Sequence, residues 1–142
     1  MKNFISSIAA AVLVLVASNL YAQCNPETHT NDCIPKLSSG FNFLKSYNVD
    51  GQKGAKDKVE YSYVFTKGTQ YMINVCGPGG SNDGIIINLY DSKRNLVGSS
   101  VLNGQQLTAF VYPCNTTGIY YISYTFDGSK EYCGGSALGF KR

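Results

Sequence analysis

The stretch Val59–Phe65 reads Val-Glu-Tyr-Ser-Tyr-Val-Phe, and after a turn at Lys67-Gly68 the stretch Tyr71–Cys76 reads Tyr-Met-Ile-Asn-Val-Cys. Apolar and polar residues alternate here with a period of two, which is typical of a β-strand with one buried face. One side of each strand is therefore expected to point inward. The inward residues are Tyr61, Tyr63 and Phe65 on the first strand, and Tyr71, Ile73 and Val75 on the second.

Similar short segments recur along the chain, separated by turns rich in glycine and asparagine. The predicted strands are 41–49, 58–66, 69–76, 84–91, 95–102, 106–113, 118–127 and 134–141. Asn103-Gly104 is the strongest signal for a tight hairpin. No segment keeps a helical period, and the 11 tyrosines and 7 phenylalanines favour β-structure. About eight short strands at regular spacing predict an all-β, antiparallel sandwich.

Further inward faces follow from the same alternation. They are Ile85, Ile87 and Leu89; then Tyr120, Ile122, Tyr124 and Phe126; and finally Leu138 and Phe140. Each such side chain contributes about 1.5–3 kcal/mol when fully buried. This gain only narrowly exceeds the chain entropy that a domain of this size loses, so disulfide bonds are expected to reinforce it.

The N-terminus has the layout of a signal peptide. One positive charge lies in residues 1–4, an apolar core spans 5–16, and the small residue Ala22 precedes the expected cleavage point. Removing residues 1–22 leaves one domain that is secreted or periplasmic, with no transmembrane span. We expect residues 23–40, which contain Pro26 and Pro35, to form an irregular arm before a β-sandwich domain at 41–142. Lipidation of Cys24, giving an outer-membrane lipoprotein, is the alternative.

The charge balance argues against a nucleic-acid partner. The net charge is +3, and removal of Lys2 with the leader leaves +2. The nearest approach to a basic run, at Lys53, Lys56 and Lys58, is interrupted by Asp57 and flanked by Asp50. Nucleic-acid binding requires a denser cationic surface.

Five cysteines in an exported chain indicate disulfides with one sulfur left over. If successive strands alternate in direction, Cys76 and Cys133 reach one end of the sandwich, and Cys33 and Cys114 reach the other. We therefore predict the pairs Cys76–Cys133 and Cys33–Cys114, with Cys24 unpaired. A Cys24–Cys33 bridge is the main competitor. A metal site at Cys24, His29 and Cys33 fits no common zinc spacing.

From residue 58 to 127 the chain resembles the bacterial pre-peptidase C-terminal domain. The matching segments are Tyr63–Phe65, Lys67–Ile73, Asp83–Asp91, Asn95–Val97 and Thr117–Ile122. The resemblance implies a jelly-roll sandwich and a noncatalytic module linked to export, substrate adhesion or removal during maturation. Two departures weigh against the maturation role: no catalytic domain precedes the module, and the chain has its own cysteines.

Catalytic chemistry is not expected, because the only histidine, His29, lies in the polar arm, and Asp83 and Asp91 bracket a single strand from opposite ends. No cofactor is expected, with calcium as the one candidate ion. Hard oxygen ligands gathered from loops suit Ca²⁺. The expected ligands, from two loops at one end of the sandwich, are Asn82, Asp83, Asp127 and Glu131.

Ligand binding by aromatic side chains is the remaining candidate chemistry. Tyrosine rings stack on sugar faces and add a hydroxyl group. The tyrosines expected to face outward are Tyr90, Tyr112 and Tyr121. The sequence thus predicts an exported, noncatalytic binding or accessory module for an extracellular polysaccharide or protein. The alternatives are a surface-tethered structural lipoprotein anchored at Cys24 and a calcium-stabilised adhesion module.

Overall fold

A computed structural model describes residues 23–142, so the predicted leader at 1–22 lies outside the described residues. A short helix, α1 (Pro26–Cys33), precedes the strands. The strands are β1 (Asn42–Asp50), β2 (Lys58–Phe65), β3 (Gln70–Cys76), β4 (Ile85–Tyr90), β5 (Leu96–Ser99), β6 (Val101–Leu102), β7 (Gln105–Gln106), β8 (Ala109–Pro113), β9 (Gly118–Phe126) and β10 (Cys133–Lys141). Short 3₁₀ turns occupy Ile34–Lys36, Gln52–Gly54 and Pro78–Gly80.

Eight of the strands form two antiparallel four-stranded sheets in the interleaved order of a jelly roll. The first sheet has the order β1-β10-β3-β8 and the second has the order β2-β9-β4-β5. The all-β, jelly-roll-like sandwich is therefore confirmed. The hairpin predicted at Asn103-Gly104 joins β6 to β7, and both turn residues have positive φ, 51° and 76°. This small hairpin shortens the strands predicted at 95–102 and 106–113.

The core lies between the sheets and contains most of the inward residues predicted from the alternation. Four predicted residues are only partly buried at its edge, namely Tyr61, Tyr63, Phe126 and Phe140, and three core residues were not predicted, namely Tyr47, Val49 and Cys114. Phe65 is its aromatic centre, stacked on Tyr71 at 3.9 Å and on Tyr120 at 4.8 Å between ring centroids. Tyr124 is also fully buried, and its hydroxyl donates a 2.6 Å hydrogen bond to Ser136 Oγ across the two sheets. The two layers are thus joined by ring stacking and by a polar contact.

Burial raises the pKa of Tyr124 and of Tyr47 well above the usual tyrosine value of 10. The folded pKa exceeds the unfolded one, so this contribution to stability is complete below pH 10 and is lost as the pH rises above 10. We expect these phenols to ionise only as the sheets unfold. When absorbance of tyrosinate and far-ultraviolet circular dichroism are followed together above pH 10, the last phenols to ionise should do so in step with the loss of the sheet signal. Complete ionisation with an intact sheet signal would show the expectation to be wrong.

The prediction of an irregular N-terminal arm is wrong. The arm contains α1, which packs on the outer face of the first sheet. Pro26, which in the sequence indicates an irregular segment, begins the helix, where its missing N–H costs nothing. Gly135 on β10 makes the close approach feasible. A Cβ at Gly135 would lie 2.7 Å from the His29 carbonyl carbon and closer still to the Thr30 nitrogen.

The predicted cysteine pairing is wrong, because α1 brings its own cysteines onto the sheet. Cys24, just before the helix, bonds to Cys133, and Cys33, its last residue, bonds to Cys76. Their Cα–Cα distances are 5.4 and 5.6 Å. Cys76 and Cys133 do reach the same end of the sandwich, as expected. Both cysteines lie on the outer face of the first sheet, however, where each bonds to a cysteine at one end of α1 instead of to each other.

The unpaired cysteine is Cys114, which is buried at the end of β8. Its thiol contacts the Tyr120 hydroxyl at 3.7 Å within the core. Cys24, by contrast, uses its sulfur in the disulfide bond. A sulfur so bonded cannot also carry a lipid, so this bond and a lipid anchor at Cys24 exclude each other. Between residues 23 and 142, no helix is long and apolar enough to cross a membrane.

Candidate functional site

The sandwich has two unlike ends, which position the candidate sites. The disulfide pole is the end where β3 finishes and β10 begins, and it includes the loops 51–57, 77–84 and 127–132. The turn pole is the opposite end, made of the connections 66–69, 91–95 and 114–117. Predicted calcium ligands lie at the disulfide pole, whereas the predicted tyrosines lie toward the turn pole.

The predicted calcium site is not formed, although its two loops do meet. The Asp83 carboxylate accepts hydrogen bonds from Ser129 Oγ at 2.9 Å and from the backbone N–H groups of Lys130 and Glu131 at 3.1 and 3.0 Å. These donors occupy the lone pairs that a cation would need. Within residues 23–142, no cluster of three or more histidine, cysteine, aspartate or glutamate residues could hold a metal ion.

Of the other three predicted ligands, Asn82 and Asp127 contact Gln106, Asp127 through its backbone only. The Asn82 side-chain amide donates to Gln106 Oε1 at 3.3 Å, and the backbone carbonyl of Asp127 accepts from Gln106 Nε2 at 3.2 Å. Gln106 on the small hairpin thus bridges the two loops. Hydrogen bonds among side chains and backbone therefore join the two loops at the disulfide pole, where the sequence predicts a calcium ion.

A groove of about 890 Å³ opens at the disulfide pole beside the start of α1. It is bounded by Thr28 and His29 of the helix, by the turn Asp50–Lys53, and by the loop Lys130–Cys133. His29 Nδ1 is buried there with no hydrogen-bond partner among the described residues. Cys24 and Cys33 are both in disulfides, so they cannot supply the thiolates of the metal site considered with His29.

The three predicted ligand-binding tyrosines do not share one surface. Tyr90 and Tyr121 are cross-strand partners on the outer face of the second sheet. Tyr112 instead turns inward, 5.6 Å from the Tyr120 ring and 6.3 Å from the Phe65 ring. Its orientation follows from register, because β8 pairs Tyr112 with the inward residue Tyr71. The expectation that Tyr112 faces outward is therefore wrong.

One face of the Tyr121 ring is covered by an arginine. The guanidinium carbon of Arg94 lies 3.7 Å from the ring centroid, and Arg94 Nη1 bonds to Glu60 Oε1 at 2.7 Å. The ion pair holds the guanidinium over the ring, a cation–π arrangement worth about 0.5–1 kcal/mol at an exposed site. A sugar ring could stack on this face only by displacing Arg94.

Beside these tyrosines, the outer face of the second sheet exposes aliphatic side chains. Val64 and Ile119 are cross-strand partners and are 56% and 48% exposed, while Leu96, the partner of Tyr90, is 57% exposed. We call this surface the free face; its members are Val64, Ile119, Tyr121, Tyr90 and Leu96. Although α1 covers the outer face of the first sheet, no described element covers this one.

The sequence analysis missed the aliphatic part of the free face, although a signal was present. Val64 stands between the inward residues Tyr63 and Phe65, at a position where a strict alternation would place a polar residue. Ile119 breaks the pattern in the same way beside Tyr120. Apolar residues at outward positions indicate a surface that has a use other than contact with water.

The sequence matches no protein-family model and no curated protein. Among solved structures, it is similar to the crystal structure of Aeromonas hydrophila PliG, a periplasmic lysozyme inhibitor of g-type lysozyme. The identity is 13%, the match covers 74% of this chain and 91% of that chain, and the TM-score is 0.46. At this TM-score the shared architecture is loose, and no partner or activity of this chain follows from it.

Proposed function

We propose that this chain is an exported, noncatalytic binding protein that recognises another extracellular protein through its free face. The observation that carries the proposal is the exposed Val64–Ile119 pair beside the Arg94-covered Tyr121. Aromatic residues and arginine are enriched at protein interfaces, and exposed aliphatic groups gain free energy when a partner removes them from water. The free face combines both features on one uncovered sheet face.

A protein partner suits this surface better than a polysaccharide. Sugar stacking on the free face would need a bare aromatic ring there, yet Tyr112 is not part of this face and Arg94 lies on Tyr121. The same covered ring is well suited to a protein, because Glu60 already holds the arginine in place and little further order is lost on binding. A binding role without catalysis is also what the resemblance to the pre-peptidase C-terminal domain implies.

Two features support export to a secreted or periplasmic location. Disulfides persist in oxidising compartments, and the described chain has two, each joining α1 to the first sheet. The predicted signal peptide at residues 1–22 would direct the chain out of the cytoplasm. A soluble form is favoured over a surface-tethered lipoprotein, because the Cys24 sulfur is bonded to Cys133.

Site-specific cross-linking tests the free face directly. A photoreactive amino acid replaces Ile119 in the chain expressed in its own cells, and the matched control carries it at Val111, which is 46% exposed on the first sheet. We expect a discrete protein adduct from position 119 only. Val64→Glu should reduce that adduct at least tenfold, because a charge would be buried at the interface centre, whereas Val111→Glu should leave it unchanged. Equal adducts from both positions, or none from either, would refute the proposal.

A further inference from the structure

We infer that the turn pole holds a second binding site, separate from the free face, for an acidic unit of an extracellular polysaccharide. A hollow of about 370 Å³ lies there, near the lower end of the range for small-ligand pockets. One wall is the turn Asp91–Asn95, and the other is the segment Thr116–Gly118. Val97, Tyr112 and Tyr120 complete the lining, so aromatic rings lie beneath polar walls.

The first wall is fixed by its own hydrogen bonds. Asp91 Oδ1 accepts the backbone N–H groups of Lys93 and Asn95, both at 2.9 Å, and Asp91 Oδ2 accepts Asn95 Nδ2 at 3.2 Å. The backbone N–H of Asn95 is the main cause of the lowered pKa of Asp91, so this turn keeps its ionised cap. Arg94 within it has positive φ, 65°, which the closed turn requires.

The second wall is fixed from inside the sandwich. The Thr116 carbonyl accepts the Tyr120 hydroxyl at 2.6 Å and the Cys114 thiol at 3.2 Å. Thr117 Oγ1 accepts the backbone N–H of Lys67 at 2.9 Å, which links this wall to the β2–β3 turn. Because both walls are ordered before any ligand arrives, a ligand would bind without the entropic cost of arranging loops.

The chemistry of the hollow matches a sugar with a negative charge. Of the two lining tyrosines, Tyr120 is buried in the core, so the half-buried Tyr112 is the ring that a sugar could contact. Ser92 and Thr116 also line the hollow, and their hydroxyls have no partner among the described residues. Lys93 also lines the hollow, where its charge attracts the Asp91 carboxylate, but its ammonium forms no ion pair among residues 23–142. A carboxylate on the ligand would form that ion pair.

The wider charge distribution favours the same ligand class. Lys67, Lys93, Arg94 and Lys141 lie at the turn pole, where Lys141 pairs in register with Gln70. The nearby carboxylates are already engaged, since Glu60 bonds to Arg94 and Asp91 caps its own turn. The disulfide pole, by contrast, mixes both signs, with Asp50, Asp57, Asp83, Asp127 and Glu131 near Lys53, Lys56, Lys58 and Lys130. The excess of cations at the turn pole favours an anion in the hollow.

Titration with short uronic-acid oligomers, followed by calorimetry at low salt, tests this site. Oligogalacturonate is the probe, and neutral galactose oligomers of the same length are its control. We expect saturable binding of the uronate only, weakened by added salt. Lys93→Gln should weaken binding at least fivefold, whereas Lys56→Gln, at the disulfide pole, should not change it.

A second variant separates the hollow from simple charge attraction. Gly118 lines the hollow, and a Cβ added to it would meet no atom within 4 Å, so we expect the side chain of Gly118→Leu to extend into that open space. It should abolish uronate binding while the melting temperature stays unchanged. Dextran sulfate that binds equally to the wild type, Lys93→Gln and Gly118→Leu, with no uronate binding, would overturn the inference. Val64→Glu should leave uronate binding intact, so the proposal for the free face and the proposal for the hollow can be refuted independently.

Discussion

Replacing Cys24 and Cys133 together by alanine should lower the free energy of unfolding by about 4–5 kcal/mol. The bond joins residues separated by 109 positions, so its loss releases a long loop in the unfolded chain. It also frees the start of α1 from the first sheet. Urea unfolding, followed by circular dichroism without reductant, measures the change. The total stability of a domain this size is about 5–15 kcal/mol, so this variant would be near the limit of folding.

The matched variant removes the other bond, with Cys33 and Cys76 replaced by alanine. Its closed loop is shorter, with a separation of 43 residues, and we expect a loss of about 4 kcal/mol. Thiol titration of the unfolded, unreduced wild type should find one thiol, from Cys114. Peptide mapping should join Cys24 to Cys133 and Cys33 to Cys76. A peptide joining Cys76 to Cys133, or Cys33 to Cys114, would contradict the structure.

The second large effect is expected at Gly135, where α1 rests on the sheet. Gly135→Val should cost about 3 kcal/mol, because its side chain would occupy the space of the helix backbone at His29 and Thr30. Neither disulfide need break, since the helix can lift between its two bonds. Urea unfolding of the oxidised protein measures the loss.

Gly118→Val is the control for this prediction, because it is also a glycine in a strand. A Cβ at Gly118 meets nothing within 4 Å, and its φ is not positive, so its stability should stay within about 0.5 kcal/mol of the wild type. If both valine variants were equally stable, the contact between α1 and β10 would not be the reason that position 135 is glycine.

The strands could be predicted from sequence because their signal is local. Alternation with a period of two is visible within each segment, and Asn103-Gly104 contains the turn chemistry of its hairpin. α1 could not be predicted in this way. Its residues, Pro-Glu-Thr-His-Thr-Asn-Asp-Cys, form no apolar stripe. The helix depends on distant partners instead, including Asn74, whose side-chain amide donates to the Cys33 carbonyl at 2.9 Å.

The errors in the candidate sites have the same origin. The cysteine pairing depends on where α1 lies, and the face on which Tyr112 points depends on the pairing of β8 with β3. The two loops that carry the predicted calcium ligands do meet, but the sequence does not show that backbone N–H groups already satisfy the Asp83 carboxylate. Residue types indicate what chemistry is available. Tertiary contacts decide whether it is already in use.

The bond between Cys24 and Cys133 has a mechanical consequence. Tension applied to the chain ahead of Cys24 passes through sulfur into β10, which lies between β1 and β3 in the first sheet. The force therefore does not pass through α1, and the helix is not unfolded from its N-terminal end. Load from a tether at this end would reach an interior strand flanked on both sides, whose neighbouring hydrogen bonds resist shear together.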